Sequence, residues 1–309
     1  MDTVDRRVEF DAEVEFSNGG SLRAEGFRLD IAGSDISDAE LGELFVRHLG
    51  LLMVGAVTVR NKRLLQEPHK GSRGVPPAGT GPRRLVELSH VLHDGMITYP
   101  GLPGPRISDH LTREDSRAVY EPGTEFQMGR ITLVSNTGTY LDTPFHRYRD
   151  GADLAGVPVD AVADLDGIVV RLTGTHDPAI GRAALAAHEV TGRAVLIHTG
   201  WDRHWGTDEY FHGHPHLTAG AAEWLVEQRP ALVGIDSLNI DGTADGARPA
   251  HSALLAAGIP IVEHLRGLDQ LPPRGFRFHA APVAVAGMGT FPIRAYAVLD
   301  GGMPATTPS

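Results

Sequence analysis

The 309-residue chain contains no cysteine. That excludes disulfides and thiolate metal ligands, and it fits a reducing compartment. No run of about 18 apolar residues occurs, the length a membrane-spanning helix needs. Behind Met1 to Arg7 there is no apolar stretch, so no signal peptide is read there. Basic residues are scarce: 28 Lys and Arg against 39 Asp and Glu leave a net charge of −11. Neither that balance nor any local Lys/Arg run offers a surface for nucleic acid or an anionic membrane. These absences point to a cytoplasmic globular protein. Hydrophobic residues at 41% and charged residues at 22% are ordinary for one. The length allows one large domain and a small one.

Residues 1–67 read as a small α+β unit. Val8 to Phe16 alternates apolar and polar, as a half-buried strand does. Ser17-Asn-Gly-Gly20 is a hairpin signal, with Asn-Gly suited to a type I′ turn, and Leu22 to Ile31 is the return strand. Ser37 and Glu40 form a capping-box pattern. The helix they open carries Leu41, Leu44, Phe45 and Leu49 at helical spacing and stops at Gly50; Leu51 to Val59 reads as a further strand. No catalytic cluster occurs here, so an accessory or assembly role is expected.

Residues 68–82 are rich in Gly and Pro and read as a linker. The main domain runs over 83–299, and 300–309 reads as a flexible tail. Short apolar runs recur at Ile131–Val134, Gly167–Leu172, Ala194–His198, Leu232–Ile235, Ile259–Val262 and Val283–Val285. Helical patterns at Thr218–Gln228 and His251–Ala257 fall between them, which predicts a mixed α/β sheet.

The chemistry concentrates in Asn136-Thr-Gly-Thr-Tyr140-Leu-Asp142-Thr-Pro-Phe-His146. An amide, a phenol, a carboxylate and an imidazole crowd around a Gly and a Pro. Alone, this could be a tight turn capped by Asp142. However, it resembles the His-x-Gly-Thr-His-x-Asp-x-Pro-x-His motif of the cyclase or kynurenine formamidase-like family of metal-dependent hydrolases. Asn136 and Tyr140 stand in place of the first two histidines. Four further segments resemble the same family: Leu88-Ser-His90; Tyr99-Pro-Gly101; His251 to Leu255 followed by Gly258-Ile259 and Glu263; and Phe291-Pro-Ile-Arg294-Ala.

The resemblance implies the family's swivelling β/β/α architecture, a mixed sheet flanked by helices. It also implies a homodimer or homotetramer with sites near subunit interfaces. It leaves Asp142, His251 and Glu263 to offer one divalent metal position, for Zn or Mn, and makes His146 the proton-transfer group. At the lost positions, a neutral amide is a weak ligand and a phenol of pKa about 10 binds tightly only when ionised. Asn136 and Tyr140 therefore read as replacements that bind and polarise a substrate oxygen.

The leading expectation is a formamidase-like hydrolase of a C–N or C–O bond in a small carbonyl compound. One alternative is a metal-free cyclase, dehydratase or isomerase of specialised biosynthesis, with Tyr140, His146 and a His251–Glu263 pair as its acid/base set. Another is an inactive ligand-binding homologue. Trp201 and Trp205 follow a strand end and are expected to wall an apolar pocket, with Tyr99, His93 and His110 at its rim. His212, His214 and His216 lack carboxylate company and read as a solvated loop. Asp236 to Asp245, leading into His251, reads as an active-site loop.

Overall fold

A computed structural model describes residues 6–31, 35–66, 81–174, 177–244 and 246–301. The chain divides into two compact units, Met1–Thr80 and Gly81–Ser309. Most of the Gly/Pro-rich segment expected as a linker lies outside the described residues, as do 302–309 of the expected tail. At both margins strand replaces the expected irregular chain: Gly81–Glu87 and Tyr296–Gly301 are strands.

The first unit comprises β1 (Arg6–Phe16), β2 (Ser21–Ile31), α1 (Asp38–Leu49) and β3 (Val54–Gln66). The strands form an antiparallel sheet in the order β2-β1-β3. Val8, Phe10, Ala12 and Val14 of β1 share one buried face with Leu41 and Phe45 of α1. Phe10, Phe27 and Phe45 meet edge-to-face there. The alternate residues of β1 form ion pairs: Glu9 lies 2.6 Å from Arg28 and 2.5 Å from Arg63, and Arg7 lies 2.6 Å from Asp30. The Ser37/Glu40 capping box forms, and Gly50 ends α1 in the left-handed region at φ 62°. The hairpin differs from expectation. Four residues, Ser17 to Gly20, link the strands; Gly19 alone takes positive φ, at 84°, where a type I′ turn needs two such residues.

The second unit begins with β4 (Gly81–Glu87) and the β5 (Arg106–Leu111)–β6 (Met128–Thr132) hairpin, which encloses the turn α2 (Arg113–Ser116). Then come β7 (Tyr140–Asp142), β8 (Leu165–Arg171), β9 (Ala179–Ile180), α3 (Arg182–Leu185), β10 (Ala194–His198), β11 (His216–Leu217) and α4 (Ala219–Gln228). The unit closes with β12 (Leu232–Ile235), α5 (Pro249–Ala256), β13 (Ile261–Glu263), β14 (Arg274–His279), β15 (Thr290–Pro292) and β16 (Tyr296–Gly301). Nine strands form one sheet in the order β15-β7-β13-β12-β10-β8-β14-β16-β4. The central four, β13, β12, β10 and β8, are parallel; those outside them run antiparallel to their neighbours.

The apolar runs explain this centre. Alternate residues of β10 enter different cores: Leu196 joins Val169, Leu232 and Phe276, whereas Val195 and Ile197 join Val233, Ile235 and the α4 residues Trp224 and Leu225. A strand covered on both faces needs continuous apolar sequence, which is what β8, β10 and β12 have. Val283–Val285 is apolar but forms no strand; it follows Pro282, which cannot donate to a ladder.

Candidate active site

Strand register builds the site. In β7, Leu141 turns into the core while Tyr140 and Asp142 share the opposite face. Tyr140 lies directly across from Glu263 of β13, and Asp142 lies across from Thr290 of β15. Each pair is hydrogen-bonded through its side chains. The Tyr140 hydroxyl donates to Glu263 Oε2, and Thr290 Oγ1 donates to Asp142 Oδ1 at 2.7 Å.

His146 follows on the short turn Pro144–His146. Gly289 presses against that turn so closely that a Cβ there would lie 2.2 Å from the His146 backbone nitrogen. His146 Nδ1 is 2.8 Å from Thr290 Oγ1. Thr290 has one hydroxyl hydrogen and gives it to Asp142, so the His146 nitrogen that faces it, Nδ1, carries an N–H.

His251 lies in the first turn of α5, and Asp241 holds it twice over. The Asp241 carboxylate accepts from the backbone N–H groups of Ala250 at 2.7 Å and His251 at 2.9 Å. Its Oδ2 also lies 2.7 Å from His251 Nδ1. His251 Nε2 is thereby aimed at Asp142 Oδ2 and Glu263 Oε1, each at 3.5 Å.

The charges are concentrated and buried. Asp142, Asp241 and Glu263 are all 0% exposed. Burial alone would discharge the His251 ring, but Glu263, Asp142 and Asp241 outweigh it and raise its pKa to about 10. Burial pushes the Glu263 carboxyl up to about 7, against the pull of His251. The centre calls for positive charge, which either a proton or a cation can supply. Asp142 Oδ2 is buried without a hydrogen-bond partner. One ligand atom each from Asp142, His146 and His251 lies within 4.8 Å of the others. A hard-to-borderline divalent ion fits this set of one carboxylate and two imidazoles.

The expected ligand set placed Glu263 where this cluster has His146. Both Glu263 oxygens are engaged: Oε1 accepts from the Ile240 N–H at 2.7 Å, and Oε2 meets the Tyr140 hydroxyl and Tyr99 Oη, the latter at 3.3 Å. Tyr99 Oη also lies 2.8 Å from Tyr140 Oη and 2.7 Å from the Leu238 carbonyl. Burial and then the Glu263 charge push both phenols well above their ordinary pKa, so they stand as neutral hydrogen-bonding groups.

A pocket of about 420 Å³ opens over these groups, lined by Tyr99, Asn136, Tyr140, His146, Asn239 and His251, among others. Trp201 and Trp205 do not line it. Trp205 stacks on His90 with centroids 3.8 Å apart and meets Tyr210 and His264 edge-on, while Trp201 Nε1 donates to the Tyr210 carbonyl at 3.0 Å. Their indoles pack against protein instead of walling the substrate space. His93 and His110 lie away from it too; His110 Nδ1 pairs with Arg130 on the β5–β6 hairpin.

His214 is no solvated residue. It is 3% exposed, with Nε2 3.0 Å from the Asp241 carbonyl, and so braces the segment that carries the orienting carboxylate. Within the expected active-site loop, Asn239 and Asp241 serve the site. Asp236 instead accepts from Thr199 and Gly200, and Asp245 lies outside the described residues. Asp241 is the functional residue the motifs missed. The available signal was a carboxylate upstream of a Pro-initiated helix that begins with the site histidine.

Comparison with known proteins identifies the family. The sequence model of the Cyclase family matches residues 86–242, more than half of the chain, and the chain belongs to that family. The kynurenine formamidase of Bacillus cereus is 26% identical over 211 residues, covering 68% of this chain and 95% of that protein. That of Erythrobacter litoralis is 27% identical over 203 residues, or 66% and 88%. Isatin hydrolase A from Labrenzia aggregata superposes with a TM-score of 0.62 at 21% identity, covering 71% of this chain and 94% of the other. A potential metal-dependent hydrolase with cyclase activity gives a TM-score of 0.58 at 24% identity, with 74% and 100% covered. The family, its mixed α/β fold and its class of enzyme are as the motifs led one to expect.

Proposed function

We propose that this chain hydrolyses a C–N bond, or a related C–O bond, in a small carbonyl compound. One divalent cation is held by Asp142 and His251 with His146 beside them. The observation that carries this is the unpartnered buried Oδ2 of Asp142, facing Nε2 of His251, in a pocket that also holds the His146 ring. The formamidase and isatin hydrolase names of its relatives favour amide cleavage over the other chemistries of the family.

When bound, the cation supplies Lewis-acid polarisation of a carbonyl group and of water. The chain does the rest. Asp241 fixes the His251 tautomer, and Thr290 fixes that of His146. His146 Nε2 accepts a proton from the attacking water and returns it to the leaving nitrogen or oxygen. Tyr140 and Tyr99 keep Glu263 occupied and stationary, while Asn136 and Asn239 present amides to the substrate oxygen.

The proximity of the three ligand atoms favours a second role for His146, as third ligand. Metal analysis together with turnover of isatin and aryl formamides tests both. One ion per chain, lost in Asp142→Asn and His251→Ala along with hydrolysis, is the expected result. His146→Ala should keep the ion and lose about 10²–10⁴-fold in kcat, the scale of a missing acid/base. Loss of the ion in His146→Ala assigns it the ligand role instead. Hydrolysis indifferent to metal would sink the cation's role, and no hydrolysis by the metal-loaded chain would favour metal-independent cyclase or isomerase chemistry.

A further inference from the structure

We infer that the substrate carries an anionic group, a carboxylate in the first instance, and that Arg147 reads it. This rests on the hydrolase reading for what happens to the substrate, but its evidence is separate.

Arg147 directly follows His146 and lines the same pocket. Among the described residues its partners are neutral. Nε lies 3.4 Å from Ser252 Oγ, and the guanidinium sits over the Tyr148 ring, 5.2 Å from its centroid. Tyr148 is itself fixed, because its hydroxyl donates to the Ser252 carbonyl at 2.9 Å. The side chain is thus positioned from two sides by groups that leave its charge uncompensated. A guanidinium held this way keeps its planar fork of donors for a carboxylate or phosphate.

The pocket's other charges agree. Arg248 and the histidines 146 and 251 line it, and among the described residues no Asp or Glu does; the site's carboxylates lie behind the lining side chains. For a chain of net charge −11, a cavity whose described charged lining is basic is a local departure in sign. With the buried carboxylates balanced by a proton or a cation, this lining favours an anionic substrate at its Arg147 end. Leu102 adds an apolar wall, and Tyr99 an aromatic one, for the body of the molecule. The class that fits is a small aromatic or aliphatic amide with a carboxylate at one end.

The test uses a matched pair with one formamide bond: N-formylanthranilate and its methyl ester. Both are assayed on the metal-loaded full chain, wild type, Arg147→Met and Arg147→Lys. Wild type should prefer the acid. Arg147→Met should raise KM for the acid about 10–100-fold, the scale of one charge-assisted pair, with kcat and the ester little changed. Arg147→Lys should recover part of the loss.

Binding is measured in parallel by calorimetry with anthranilate and with its methyl ester, which needs no turnover. Arg147-dependent binding of anthranilate without hydrolysis of either compound would reject the hydrolase reading and leave the anion site standing. Hydrolysis of the ester in preference to the acid would overturn the anion site and spare the hydrolase reading. Equal losses for both compounds in Arg147→Met, or no binding of anthranilate to the wild type, would also overturn it.

Discussion

Single side chains decide which protons and charges this site tolerates. Tyr140 is the clearest case, since its hydroxyl meets Glu263 in direct register across β7 and β13. An imidazole at 140 would place a ligand nitrogen where that O–H stands. The double change Asn136→His, Tyr140→His is therefore expected to raise bound zinc or manganese above one ion per chain while lowering the native turnover. Metal content and turnover of the variant check this; a gain in both would mean the native residues are merely a weakened metal site. His90 makes a second residue-scale prediction. Burial and then the Arg266 charge lower its pKa to about 3, so the folded chain holds it neutral. Below the unfolded value of about 6.5, the unfolded chain takes up a proton that the folded chain refuses. This stability is fully present above pH 6.5 and is lost as the pH falls toward 3. Between pH 7.5 and 5.5 the loss is about 1 kcal/mol. His90→Gln should remove that dependence, so the stability gap between wild type and variant in urea should narrow by that amount at pH 5.5. A gap that stays constant with pH would refute it.

At the scale of elements, Asp241 joins a helix start to the His251 ring. Its carboxylate caps the first turn of α5 and orients the His251 ring at once. Asp241→Ala should cost about 1 kcal/mol of stability as a lost cap. The same change should weaken divalent-ion affinity about 10–100-fold as a lost orienting group. Thermal melts and ion titration read these separately, and an unchanged ion affinity would leave Asp241 a capping residue only. This pairing shows what the sequence could and could not reveal. Asp142, His146, His251 and Glu263 were legible through the resemblance of short segments around Gly138, Pro144 and Gly258 to the family's motifs. β10 and β12 were legible for another local reason, an apolar run covered on both faces. Thr290 and the Tyr140–Glu263 pair depend on strand order β15-β7-β13, a non-local fact that no window of sequence contains. The indoles of Trp201 and Trp205 failed as pocket walls for the same reason: a strand end says where a loop starts, not which way its side chains turn.

At the scale of the molecule, the two units divide the work unevenly. Every described residue of the candidate site belongs to the unit starting at Gly81. We propose that the first unit serves assembly. A chain beginning at Gly81 should keep its turnover within a few-fold and change its quaternary state, as read by light scattering; an unchanged assembly would refute that role. The close approach of Gly289 to His146 has a consequence for how this enzyme can diversify. There, main chain lies against main chain, and no side chain fits between. Any residue larger than glycine would displace the His146 backbone. That wall is closed to evolutionary tinkering. New substrates must be won from pocket side chains such as Leu102, Arg147 and Arg248.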